Sequence, residues 1–195
     1  MRQVVLGGAL IAAALLIGLA TPLLGPASGI EPALMRTLAL TRPWAAEVGR
    51  GVTALGDPSM RPVLIGAGAL LLWSAGKRRE ILVLLLGSLA AIGATSLLKQ
   101  LFDRARPHVV PWLDNPSNAS FPSGHAANTM AVLLLAALLL GGRRRVAAAL
   151  AVALLVGLTR PALGVHWPSD VVGGWALGAG IALLSYGLTR RHSST

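Results

Sequence analysis

Six apolar runs, at residues 4–20, 62–75, 81–98, 126–140, 146–160 and 171–188, carry no charged residue except Arg160 at the end of the fifth. At about 1.5 Å of rise per residue, such runs approach or match the ~30 Å hydrocarbon layer of a bilayer when helical. A backbone inside lipid must satisfy its own hydrogen bonds, and helices do this within one segment. The pattern therefore predicts an all-α, integral membrane bundle of six transmembrane helices, forming a single domain over residues 1–195. The first run also resembles a secretory leader, but no clean small-x-small cleavage site follows before Pro22.

Charge placement gives the orientation. Nine of the seventeen Lys and Arg residues are Arg2, Lys77, Arg78, Arg79, Arg143, Arg144, Arg145, Arg190 and Arg191, and six spans put them all on one side. Short basic loops stay cytoplasmic, so both termini and the two tight turns are expected there, in a cytoplasmic membrane. The same loops explain the net charge of +10, and no basic face with interleaved aromatics suggests nucleic acid. With no cysteine, disulfides and thiolate metal sites are excluded. On the opposite, extracytoplasmic side lies a proline-rich first loop. In it Leu34, Leu38, Trp44, Val48, Val52 and Leu55 recur at roughly helical spacing. Residues 33–55 are expected to form an amphipathic interfacial helix, broken near Pro43.

Three polar clusters remain, and every one falls on that extracytoplasmic face. The first, Lys99 to Pro107, closes the third run; Lys99 and Arg106 are seven apart, so both cations can project from one helix face before Pro107 ends the element. Together they suit an anion with several oxygens. The second, Ser120-Phe-Pro-Ser-Gly-His125, opens the fourth run, with Ser123 as N-cap and Gly124 leaving backbone N–H groups open to an anion. In the third, Thr159–Asp170, Arg160 ends the fifth run before Pro161, and His166 stands four residues before Asp170. A carboxylate that accepts the proton of one ring nitrogen leaves the other as an outward lone pair, as a nucleophile or base requires. Each cluster alone also fits ordinary interface chemistry, through snorkelling, capping or an ion pair. Jointly they assemble three cations, a helix N-terminus, two histidines and one orienting carboxylate. A metal site is disfavoured, because Lys99, Arg106 and Arg160 would repel a dication.

Lys-x6-Arg-Pro (Lys99 to Pro107), Pro-Ser-Gly-His (Pro122 to His125) and Arg-x5-His-x3-Asp (Arg160 to Asp170) together resemble the three signatures of the type 2 phosphatidic acid phosphatase superfamily, whose soluble relatives include vanadium-dependent haloperoxidases. Thr159 stands where the third signature usually begins with Ser. The resemblance implies a membrane lipid phosphatase that needs no metal or other cofactor. It implies that His166 attacks phosphorus to give a phosphohistidine, with Asp170 orienting it. His125 then protonates the leaving oxygen and helps activate water, while Lys99, Arg106, Arg160, Ser123 and the Gly124 N–H bind the phosphoryl oxygens. Expected substrates are polyprenyl diphosphate, phosphatidylglycerophosphate or phosphatidate, with membrane lipids as the surroundings and no nucleic-acid partner. A phosphotransferase built on the same intermediate, and a non-catalytic lipid-binding or transport protein, are the competing readings.

Overall fold

The computed structural model describes residues 1–24 and 29–191; residues 25–28 of the first loop and 192–195 lie outside the described residues. Among the described residues there are eight helices and no strand: α1 (Arg2–Leu24), α2 (Ile30–Leu38), α3 (Pro43–Thr53), α4 (Arg61–Ser74), α5 (Arg78–Phe102), α6 (Gly124–Leu140), α7 (Arg143–Ala162) and α8 (Pro168–Arg191). A single 3-10 turn, Ala54–Gly56, follows α3.

Helices α1, α5, α7 and residues 168–189 of α8 are each long and apolar enough to cross a membrane. The other two apolar helices, α4 and α6, are shorter, at 14 and 17 residues. Leu16, Leu19, Leu23, Leu70, Leu86, Leu89 and Leu97 stand exposed on the outer faces. That much apolar surface is unsuited to water and suits contact with lipid, as expected of a membrane protein.

Helix α6 is the axis of the molecule. Most of its residues are buried, and α4, α5, α7 and α8 pack around it while α1 lies along α8. Leu72, Leu84, Met130, Leu134, Leu135, Leu139, Ala153 and Ala182 form one core cluster around it. Small residues bring backbones together: a Cβ on Gly174 would fall 2.8 Å from the Ser123 carbonyl oxygen, and one on Gly7 2.7 Å from that of Gly180. Such contacts are how helices associate when lipid offers no hydrophobic gain between them.

Two expectations change in detail, and a third is met: the break expected near Pro43 separates α2 from α3 at residues 39–42, with Pro43 as the first residue of α3. Proline is favoured there because the first helical N–H has no partner to lose. Helix α5 ends at Phe102, since Asp103 turns left-handed (φ 35°), so Arg106 does not share a helix face with Lys99 and stands in the loop that follows. Helix α7 continues through Pro161 to Ala162 instead of stopping at Arg160, and it closes where Gly164 (φ 81°) donates its N–H to the Pro161 carbonyl at 3.0 Å. Proline forfeits one helix bond and crowds the carbonyl four residues earlier, a cost confined to the last turn of α7.

Candidate active site

The end of α5, the loop 103–123, the first turn of α6, the end of α7 and the turn into α8 meet at one end of the bundle. They enclose a cavity of about 240 Å³, several times the ~30 Å³ share of one water molecule. Lys99, Arg106, Gly124, His125, Arg160 and His166 line it, together with Asp57, Arg61 and Asp114. Ser123 and Asp170 are fully buried behind that wall. Residues scattered over more than a hundred positions in sequence are thereby brought to one place.

His166 is held at both nitrogens of its ring. Its Nδ1 faces Asp170 Oδ2 at 3.3 Å and Ser120 Oγ at 3.4 Å. Its Nε2 faces Arg106 Nη1 at 3.1 Å on the cavity side. A guanidinium only donates, so Nε2 must be the lone-pair nitrogen and Nδ1 the protonated one. Burial, opposed by the Asp170 hydrogen bond, pushes the His166 pKa down to about 3, so the ring is neutral at ordinary pH. A neutral imidazole whose unprotonated nitrogen stands at a cavity wall is competent as a nucleophile once that nitrogen is released by Arg106.

Asp170 is held from four directions. Arg104 Nη1 donates to Oδ1 at 2.5 Å, the Trp167 N–H donates to Oδ2 at 2.9 Å, and the Ser120 hydroxyl and the His166 ring complete the set. Arg104 in turn reaches Glu31 Oε2 on α2 at 2.7 Å, and Glu31 Oε1 accepts the Ser169 N–H at 2.8 Å. Glu31, Arg104 and Asp170 are all buried, and a buried ion must be paired in this way to be tolerated. The chain of contacts runs from a helix of the first loop to the nucleophile candidate.

The cations differ in their bonding. Arg160 is buried; its Nη2 pairs with Asp114 Oδ2 at 2.7 Å and its Nη1 donates to Thr53 Oγ1 at 2.8 Å, while its Nε is buried without a partner among the described residues. Burial alone would raise the Asp114 pKa, but Arg160 and the Asn115 N–H hold it below the usual carboxylate range. Arg106 also donates to the Val165 carbonyl at 2.5 Å and, through Nε, to that of Asn118 at 2.7 Å. Burial and Arg160 bring its pKa down to about 10, so it remains a cation at neutral pH. Lys99 Nζ donates to the Ala119 carbonyl.

His125 stands in the first turn of α6, where Ser123 caps the helix by accepting the Ala126 N–H at 3.5 Å. Its Nε2 lies 2.9 Å from Asp57 Oδ1, a residue of the turn between α3 and α4. A Cβ on Gly56 would fall 2.7 Å from the His125 ring, which shows how closely that turn is pressed onto the imidazole. Sequence reasoning missed Asp57, Arg61, Arg104, Asp114 and Glu31. Only Arg104 carried a signal, as a third cation inside the first cluster.

The chain can be placed among known proteins. The model of the PAP2 superfamily matches residues 80–194. Phosphatidylglycerophosphatase B of Bacillus subtilis (strain 168) is 32% identical over 159 residues, which cover 76% of this chain and 77% of that one. The decaprenylphosphoryl-5-phosphoribose phosphatase of Mycobacterium tuberculosis (strain ATCC 25618 / H37Rv) is 36% identical over 149 residues, covering 73% and 80%. A crystal structure of the first transmembrane PAP2 type phosphatidylglycerolphosphate phosphatase from Bacillus subtilis superposes with a TM-score of 0.84 at 29% identity, over 98% of each chain. The chain therefore belongs to the PAP2 superfamily, and it is a phosphatase of that family.

Proposed function

We propose that this enzyme removes the terminal phosphate of a lipid phosphate or diphosphate, without a metal, through a phosphohistidine formed on His166. The observation that carries this reading is the His166–Asp170 pair, whose Nε2 lone pair faces a cavity walled by Lys99, Arg106 and Arg160. In the first step Nε2 attacks phosphorus, the N–P bond forms and the P–O bond to the lipid breaks. His125 gives its proton to the departing oxygen, and Asp170 stabilises the positive charge that develops on His166. In the second step water attacks phosphorus, His125 takes its proton, the N–P bond breaks and inorganic phosphate leaves. Lys99, Arg106, Arg160 and the N–H groups of the α6 first turn, held by the Ser123 cap and opened by Gly124, stabilise the trigonal transition state.

A lipid substrate is supported by the relatives' activities and by an apolar groove of about 650 Å³. Leu55, Leu64, Leu71, Leu133, Leu140 and Val152 line it between α4, α6 and α7. One of its lining residues, Leu55, stands two residues before Asp57, which lines the polar cavity. Polyprenyl diphosphate, phosphatidylglycerophosphate and phosphatidate are the substrates of this class. The one domain spans the cytoplasmic membrane six times, with α4 and α6 as the short spans and α2 and α3 at the interface. Both termini and the basic turns 77–79 and 143–145 are cytoplasmic, and the site is extracytoplasmic. Supporting this, the cavity gathers the ends of α5, α6 and α7 opposite those turns.

The test is phosphate release by the purified chain from a panel of lipid mono- and diphosphates, with a chelator present and vanadate as inhibitor. Release that survives the chelator and is lost in vanadate is expected; no release from any lipid, with His166→Ala unchanged, overturns the reading. A reporter fused near Asp114 is expected outside the cytoplasm, and a cytoplasmic signal overturns the topology.

A further inference from the structure

The two helices of the first loop carry their apolar stripe outward. On α2, Ile30, Leu34 and Leu38 stand exposed at four-residue intervals along one face, and on α3 Trp44 and Val48 do the same. The residues that the two helices bury are Glu31, Pro32, Met35, Ala46, Gly49 and Thr53. Met35 is the one large apolar side chain among them. Inward packing therefore gives these helices little hydrophobic grip, and the larger gain awaits whatever covers the outward stripe.

The bundle's own surface says what can cover it. At the end where the site lies, Leu23 on α1, Leu101 on α5, Leu158 on α7 and Val172 on α8 are exposed. The lipid-facing surface thus continues to the level at which α2 and α3 are attached. Arg36 and Arg42 stand exposed beside the stripe, and cations flanking apolar side chains suit phosphate headgroups above acyl chains. Tryptophan, here Trp44, is the residue favoured at such a boundary.

The opposite face of the same stretch meets the active site at several points. Glu31 pairs with Arg104, which holds Asp170. Thr53 Oγ1 accepts a hydrogen bond from Arg160 Nη1 at 2.8 Å. Arg50 Nη1 donates to the Leu113 carbonyl at 3.1 Å, one residue before Asp114. Asp57, just beyond the 3-10 turn, meets His125 Nε2 at 2.9 Å. Residues 31–57 thereby reach the carboxylate behind the nucleophile candidate, a cation of the cavity and the acid candidate. Hydrogen bonds of this kind each add little net stability, and they form together only while the stretch lies in one place.

We propose that the exposed face of α2 and α3 docks on the lipid headgroup layer and that this docking assembles the site, so that turnover of even a water-soluble phosphate ester depends on that face meeting lipid. This rests on the hydrolase and topology readings above, and adds to them a dependence of the chemistry on the membrane surface.

The experiment uses the full chain in nanodiscs of phosphatidylcholine and phosphatidylglycerol. Because the chain has no cysteine, Leu34→Cys takes a single nitroxide label. The label is expected to be more accessible to oxygen than to a water-soluble nickel chelate, and the reverse order overturns the docking. In the same nanodiscs, kcat for p-nitrophenyl phosphate is expected to fall about tenfold or more when Leu34→Asp and Trp44→Asp are combined, the worth of one apolar side chain losing its cover. Leu34→Phe combined with Trp44→Phe is expected to keep the wild-type value. An unchanged kcat in the aspartate variant, or an equal loss in the phenylalanine variant, overturns the proposal. Leu34→Gln with Trp44→Gln gives the same comparison should the aspartate variant fail to fold. Wild-type protein that hydrolyses no phosphate ester, while its label lies in lipid, is a different result, because it defeats the hydrolase reading and not the docking.

Discussion

Arg106 Nη1 lies 3.1 Å from His166 Nε2, and the guanidinium thereby fixes the tautomer of the ring whose other nitrogen faces Asp170. On the proposed mechanism the attacking lone pair is thus aimed by the same side chain that would receive the phosphoryl oxygens. Arg106→Lys keeps the charge but loses the forked geometry that serves both tasks. Its kcat/KM for a lipid phosphate is expected to fall by about 10²-fold or more, with the loss in kcat as well as in KM. A loss confined to KM would show that the ring is positioned without Arg106.

Asp170→Asn is expected to lower kcat by about 10²–10⁴-fold, because an amide can present its NH₂ to Nδ1 and favour the wrong tautomer. His166→Ala should abolish the acid-labile phosphoenzyme that brief incubation with ³²P-labelled substrate traps on the wild type. Trapped label in the alanine variant would place the intermediate elsewhere.

Asp57→Asn removes the carboxylate partner of His125. If His125 is the acid, the loss should be about 10–10²-fold for a lipid phosphate, whose alkoxide needs a proton, and much smaller for p-nitrophenyl phosphate, whose leaving group does not. Equal losses on both substrates would assign Asp57 a structural task alone.

The His166 pKa lies at about 3 in the folded chain against an ordinary 6.5. Between those values the unfolded state binds the extra proton, so stability rises with pH across that window. The contribution is complete above pH 6.5 and is lost as pH falls toward 3. The melting temperature in detergent should therefore decline on acidification from pH 7 to pH 4.5, and decline less steeply in His166→Asn. Parallel curves for the two proteins would refute the assignment.

Glu31→Ala leaves Arg104 with only half of its ion-pair network. Breaking a buried pair of this kind costs about 3–5 kcal/mol, readable as a lowered melting temperature. Because Arg104 also holds Asp170, kcat should fall in the protein that remains folded. An unchanged kcat would mean that Arg104 holds Asp170 in place without help from Glu31.

The parts of the site that could be read in the sequence were those encoded by short spacing. Lys99, Arg106, Gly124, His125, Arg160 and His166 all line one cavity, and Ser123 caps the helix that its position suggested. The apolar runs likewise marked the long helices, since a run without charge constrains its own backbone wherever the rest of the chain goes. What stayed hidden depended on distant contacts. Glu31 meets the Ser169 N–H across 138 residues, and Asp57 meets His125 across 68. Nothing in a proline-rich loop with several acids distinguishes those two from their neighbours. The supposed shared face of Lys99 and Arg106 failed for a smaller reason: a single left-handed residue, Asp103, ended the helix before the spacing could apply.

Arg160 is matched to an anion before any substrate arrives, through Asp114 at 2.7 Å. On the proposed reading, a phosphate that takes the Asp114 side of this guanidinium enters by exchange with a carboxylate. Exchange makes the affinity a difference between two attractions, which keeps ground-state binding shallow. It also gives the departing phosphate a rival: Asp114, anchored in the loop 103–123, stands ready to reclaim Arg160. On that reading the ion pair that stabilises the wall also serves turnover, by competing with the product for the guanidinium.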